Sequence, residues 1–353
     1  MISRLVDRIA KTVLYEGYML YPYRPSALKN RQRFNFGVLA PQDYCALSAS
    51  GETSSLQAQF LLRPDLNSEL DIHARFLHLA SRDIGQFLAP VATFSRTNLP
   101  EYRLVPSLEI QGQLFQTWQE AAEREFSVRA SLQQLISAPL QRPFLFSGGE
   151  EIVPLGGAET GFVGVLLRHQ ESVAGEVRVS AEQIANGLFK LTLTVANLST
   201  LPDAGNLDRD AALLYSLVST HAILHCAEGN FISLLEPPDD LQHAVSVCQN
   251  HGVWPVLVGE DGDAHTLLAS PIILYDYPQI APESLGDLFD GGEIDEILSL
   301  RIMTMTDEEK REMRHSDERA RQILERTENL PEEHLLKLHG VLRSLRDAKG
   351  ETP

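Results

Sequence analysis

Cysteine is scarce in this chain: Cys45, Cys226 and Cys248 are all it has. Three widely spaced cysteines cannot close a complete disulfide framework, so a reducing compartment is expected. Long apolar runs are missing as well. The opening Met1–Lys11, MISRLVDRIAK, interrupts its apolar residues with Arg4, Asp7, Arg8 and Lys11, which excludes the apolar run of a signal peptide. No stretch approaches the ~20 apolar residues of a membrane span. A cytoplasmic protein without membrane insertion is therefore expected.

Positive charge is the third shortage. With 30 Lys and Arg against 48 Asp and Glu, the formal charge is -18. Nucleic acid and anionic lipid are poor partners for such a field, because each phosphate contact needs a cation. A basic or metal-bearing partner suits it better. The sequence also lacks GxGxxG, a P-loop, a GxSxG elbow, a CxxC pair and the ligand spacing of an EF-hand, so no common phosphate, nucleophile or calcium motif is met and no cofactor is expected. The acidic run Asp287, Asp290, Glu293, Asp295, Glu296 reads as a solvated face.

What is present is an apolar share of 43% and a charged share of 22% over 353 residues, enough for a substantial globular core. Segment GEVRVSAEQIANGLFKLTLTVANLSTL, 175–201, carries the clearest pattern. Val177 and Val179 lead to an Asn186-Gly187 turn, after which Phe189, Leu191, Leu193 and Val195 alternate with polar residues, a strand-turn-strand with one buried face. The alternation Ile72, Ala74, Phe76, His78 against Asp71, His73, Arg75 predicts another strand and places His78 in the core. Strand character also runs through 13–23, 35–62, 104–115 and 253–258. Helical spacing predicts a short amphipathic helix over 2–13 and helices over 117–135, 208–226 and 237–251. Thr117 with Glu120 reads as the capping box of the second of these. The two glycine pairs in 147–164 read as loops, and Glu260–Asp263 as a turn.

After Asp307 the chain turns to charged helix. Thr306 and Glu309 form a capping box for a helix reaching about Asn329, and a further helix from Pro331 keeps Leu335, Leu338, Leu342 and Leu345 at heptad spacing. The fold class is α+β: an antiparallel β-sandwich-like core with inserted helices and a helical C-terminal arm. Three segments follow: a β-rich core over 1–203 with one inserted helix at 117–135, an α+β segment over 204–303 packing on it, and the arm over 304–353.

Two constellations bear on function. His221 and His225 are four apart on the helix expected there, and Cys248 and His251 could complete a metal set if the next helix packs antiparallel. Ala222 stands where a zinc hydrolase needs Glu, so packing histidines are the preferred reading. The other constellation is a pair of Tyr-Pro stretches. LYEGYMLYPYRPSALKNRQRFNFGVLAP, 14–41, gathers Tyr18, Tyr21 and Tyr23 beside Arg24, Lys29, Arg31 and Arg33. SPIILYDYPQIAPESLGDLFDGGEIDEIL, 270–298, offers Tyr275, Asp276, Tyr277, Glu283, Asp287 and Asp290. Tyr and Arg are favoured at protein interfaces, and Arg forks onto carboxylates. The stretches are expected on one side of the molecule, basic on acidic, as a joint partner-binding surface.

These two stretches, with Ser219-Thr220-His221 and Gly229-Asn230-Phe231 between them, resemble an uncharacterised bacterial family associated with gene clusters for nickel-iron uptake hydrogenases. The resemblance implies an accessory, maturation or assembly factor, non-catalytic and bound to a hydrogenase subunit or precursor; it assigns no role to any residue. A metal-dependent enzyme or carrier using His221 and His225, and a plain scaffold subunit, are the other readings.

Overall fold

The computed structural model describes residues 3–16, 18, 33–47, 51–64, 68–157, 161–201, 207–279, 302–316 and 318–329. Two antiparallel sheets pack face to face. One holds five strands in the order β13 (Gly229–Phe231), β1 (Ser55–Pro64), β11 (Leu188–Asn197), β10 (Val173–Ala185) and β7 (Leu140–Phe146). The other runs β14 (Trp254–Leu257), β15 (Thr266–Ser270), β12 (Val218–His225), β2 (Glu69–Val91), β9 (Gly161–Gln170) and β8 (Gly149–Gly157). Strands β3 (Tyr102–Val105) and β6 (Trp118–Ser131) also pair with β2, and β4 (Ser107–Ile110) with β5 (Gln113–Gln116) forms a small hairpin.

The expected strand-turn-strand is β10 and β11. Gly187, at φ +68°, supplies the left-handed residue of the turn. Phe189, Leu191, Leu193 and Val195 then face Ile72, Ala74 and Phe76 of β2 in the common core. Each such fully buried large side chain contributes about 1.5–3 kcal/mol. Strands β12 and β13, from the 204–303 segment, sit beside β2 and β1 respectively, so that segment completes both sheets.

Helical spacing misleads at three places, one of them 237–251, which holds only a 3-10 turn, Asp239–Leu241, and a short helix, Gln242–Ser246. Segment 117–135 is not a helix but mostly strand β6, followed by a short helix, Leu132–Ser137. Arg124, Phe126, Val128 and Ala130 turn inward while Glu123, Glu125, Ser127 and Arg129 are exposed, a period of two. Fourteen residues pair with β2 in unbroken register, from Glu69 opposite Ser131 to Arg82 opposite Trp118, and that ladder outweighs local helical preference. The capping box forms at Ser131 and Gln134 instead. Segment 208–226 likewise keeps only a short helix, Arg209–Leu213, capped by the Asp208 side chain. Beyond it lies β12, sandwiched between β2 and β15 and buried on both faces, so its apolar run shows no alternation. The glycines of 147–164 fall largely in the β8–β9 hairpin rather than in loops, and 13–16 belongs to a helix and its end rather than a strand.

That helix, α1 (Arg4–Tyr15), is capped by Ser3 and lays Val6, Ile9, Ala10 and Val13 on Ile223, Val256 and Leu268 on the outer face of the larger sheet. The described part of the C-terminal arm is two helices, Asp307–Ser316 and Glu318–Glu328, and the first carries the expected Thr306–Glu309 capping box. Met313, Ala320, Ile323 and Leu324 close over Tyr15, Tyr18, Leu77 and Trp118. Arg82, buried in this seam, donates to Gln116 O, Glu120 and the Ser316 carbonyl at the end of the first arm helix. Leu335, Leu338, Leu342 and Leu345 lie outside the described residues. Among those described, no helix is long and apolar enough to cross a membrane.

Candidate functional site

The two Tyr-Pro stretches meet. Gly37, at φ +57°, brings the first against the second so closely that an added Cβ would lie 2.7 Å from Pro271 Cβ and 2.9 Å from Thr220 N. Its carbonyl accepts from Thr220 N at 2.8 Å, and Leu39 pairs with Leu217 just beyond. Tyr21, Tyr23, Arg24, Lys29, Arg31, Glu283, Asp287 and Asp290 lie outside the described residues, and with them the expected ion pairs between the stretches.

Tyr18 and Arg33 are turned into the fold. Both are buried, and the Arg33 guanidinium sits 3.7 Å from the Trp118 ring centroid, with Phe34 and Tyr18 also around it. It donates to the carbonyls of Tyr18 and Gln119. An aromatic cage and two carbonyls replace the water that the cation gives up, so its affinity for rings is spent inside the fold.

The second stretch holds a different arrangement. From Ser270 to Tyr277 it alternates, with Ile272 and Leu274 packed beside α1 while Ile273 is 74% and Tyr275 84% exposed. Below them the chain is pinned. Asp276 accepts from Ser233 Oγ at 2.5 Å and from Leu257 N at 2.7 Å. Tyr277, at φ +54°, packs on the core and donates its N–H to Leu257 O. The Ile272 N–H bonds Ser270 Oγ at the other end. Half-exposed Leu235 and Trp254 lie on the segments that hold the strut: Leu235 N bonds the same Ser233 Oγ, and Trp254 pairs with Ser270. Asp276 is thus a brace, and Tyr275 is the presented ring. Ile273 was not singled out in the sequence, although the period of two through Ile272-Ile273-Leu274-Tyr275 carries its exposure.

Beside α1 the outer sheet face carries a polar trough of about 680 Å³, lined among others by Asp7, Asp71, His73, Arg75, Glu125 and Arg129. Arg75 bonds Glu125 and Asp7, and Arg129 forks onto Asp71. Burial alone would raise the Glu125 carboxyl, but hydrogen bonds from His73, Arg75 and Ser127 hold it down at about 2. Glu125 and Ser127 both approach the same His73 nitrogen, Nδ1, at 3.0 and 2.8 Å. A relay from acid through imidazole to hydroxyl needs the two opposite ring nitrogens. The ion pairs along the trough join Arg75 to Glu125 and Asp7, and Arg129 to Asp71.

The histidine and cysteine candidates are dispersed. His221, on β12, is fully buried, with Nδ1 3.0 Å from Ser219 O, and burial lowers its pKa to about 4. His225 meets Thr266 Oγ1. Cys248 packs with Leu61 and Leu188 on the smaller sheet, and His251 bridges to the Gln57 backbone of β1. Among the described residues no group of three or more His, Cys, Asp or Glu is arranged to hold a metal ion. His78 is a core residue whose Nε2 donates to Glu171 O at 2.7 Å, neutral because burial lowers its pKa to about 4.

The sequence matches no protein-family model and no curated protein. Among solved structures it is similar to the secretin InvG of the Salmonella SPI-1 type III secretion injectisome in its open gate state, at 10% identity over 73% of this chain and 68% of that one, with a TM-score of 0.12. At that score the likeness carries no argument about fold or function.

Proposed function

We propose that this chain is a non-catalytic accessory protein that binds a protein partner through the Ser270–Tyr277 strut, the partner being a subunit or precursor of a nickel-iron hydrogenase. One observation carries the binding half: Ile273 and Tyr275 stand in solvent on a backbone braced by Asp276 and Tyr277. Large side chains presented on a pre-ordered backbone lose little chain entropy on binding, and tyrosine is enriched at interface hot spots. The resemblance of both Tyr-Pro stretches to the hydrogenase-associated family supports the choice of partner.

Titration calorimetry with a purified nickel-iron hydrogenase large-subunit precursor tests this. Tyr275→Ala should weaken binding by about 2 kcal/mol or more, and Ile273→Ser by about 1 kcal/mol or more. No binding by the wild-type chain would remove the partner, and equal binding by all three would remove the site.

A further inference from the structure

We propose that the strut takes a basic segment of its protein partner: an apolar side chain seats on Ile273 and Tyr275, and Lys or Arg beside it face Glu236, Glu260 and Asp261. This rests on the reading of the strut as a partner-binding surface and adds the chemistry of what lies on it. Charge is spread unevenly along the chain. Between Arg209 and Arg301 there is no Lys or Arg, and every formal charge in that stretch is an Asp or Glu. The strut, β14, β15 and the Ser233–Leu241 segment all belong to it. Cations from elsewhere are engaged on other surfaces. Arg4 and Arg8 of α1 line the trough with residues of β2, Lys11 pairs with Glu123 of β6, and Arg63 pairs with Asp240.

Two points of contact bring the acids to the strut. The Glu236 N–H bonds Ser233 Oγ at 2.8 Å, and that hydroxyl donates to Asp276, so Glu236 stands one hydroxyl away from the strut backbone. At the other point, β14 runs past Leu257, which bonds Asp276 and Tyr277, into the turn Glu260–Asp263. Burial first, and then the nearby charges of Asp276, Asp261 and Asp263, push the Tyr277 phenol up, which sets the turn beside the foot of the strut. Asp276 and Asp263 are occupied, the latter accepting from His265 N. Glu236, Glu260 and Asp261 are exposed, and among the described residues none of the three carboxylates has a hydrogen bond or an ion pair. Half-exposed Leu235, next to Glu236, adds apolar surface.

Charge complementarity selects the occupant. Free carboxylates around an apolar pair repel nucleic acid, acidic peptides and a second copy of this chain, which carries the same acids. A bare cation finds no cage, because among the described residues no group of three or more His, Cys, Asp or Glu is arranged to hold a metal ion. A peptide segment with an aliphatic or aromatic residue flanked by Lys or Arg meets both features at once. The anchor supplies most of the affinity, while the rim charges set the association rate and reject wrong partners.

Selection from a phage-displayed library of random peptides on the wild-type chain, after removal of those that also bind Tyr275→Ala, tests the proposal. The retained peptides should carry Lys or Arg beside a large apolar residue. Neutral or acidic retained peptides, or none that depends on Tyr275, would overturn it. In stopped flow with the most frequent peptide, Glu236→Lys/Asp261→Lys should slow association about threefold or more and leave dissociation nearly unchanged, whereas Ile273→Ser should speed dissociation about fivefold or more. Glu101→Lys/Glu150→Lys makes the same change in net charge at exposed sites just before β3 and on β8, at the opposite edge of the larger sheet, and should leave both rates near wild type. Equal slowing by the two pairs would assign the effect to the overall field and contradict the local site. Circular dichroism checks that each variant is folded. Basic peptides selected by a chain that does not bind the hydrogenase precursor would remove that partner and keep this inference, and binding of the precursor with neutral or acidic peptides selected would remove this inference alone.

Discussion

Arg33 and His221, singled out in the sequence, are buried in the fold, and two predictions concern them and His78. Arg33 is caged by Trp118, Phe34 and Tyr18 and bonded to two carbonyls. Arg33→Ala leaves those carbonyls and the cavity behind it, at a cost of about 2–4 kcal/mol in unfolding free energy. Arg33→Lys should recover only part, because an ammonium cannot stack as a flat guanidinium does. Urea titration distinguishes these from a surface arginine, whose loss is nearly silent. The histidines give a pH dependence. His78 and His221 are held neutral with folded pKa values of about 4, below the ordinary 6.5. The unfolded chain then binds protons that the native chain does not, so their stabilisation is complete above pH 6.5 and is lost as the pH falls toward 4. The urea midpoint should drop over that window. In His78→Gln/His221→Gln the drop should flatten, and an unchanged slope in the double variant would show that other groups set it.

At the level of elements, legibility followed burial geometry. The β10–β11 hairpin was plain because one of its faces is buried and the other wet, and because Asn-Gly marks its turn. Strand β12 hid in a helical reading because both of its faces are buried, which erases the period of two. Strand β6 hid because Ala121 and Ala122 side by side, with acids and arginines nearby, imitate an amphipathic helix; only pairing with distant β2 decides the matter. The strut was half legible: its tyrosines were visible, while its braces, Ser233 and Leu257, are distant in sequence. The close approach of the two Tyr-Pro stretches supplies a contrast that can be measured. Gly187 and Gly37 both have positive φ, but a Cβ at Gly187 meets open space, whereas one at Gly37 meets Pro271 and the Thr220 backbone. Gly187→Ala should cost about 1 kcal/mol from backbone strain alone. Gly37→Ala should cost clearly more and loosen 36–40 from β12, seen as faster amide exchange at Thr220. Equal costs would mean that the Gly37 contact relaxes freely.

For the whole molecule, the described residues form one sandwich with α1 on the outer face of the larger sheet and the arm closing its seam, while Ile273 and Tyr275 of the strut stay exposed. The proposal that this chain works by holding a hydrogenase subunit therefore stands on Tyr275 more than on any other residue. A photo-crosslinking amino acid placed at position 275, in the presence of the hydrogenase large-subunit precursor, tests it most directly, with the same group at exposed Leu104 as the control. Capture of the precursor from position 275 and not from 104 is the predicted result; no capture from 275, or equal capture from both, contradicts it.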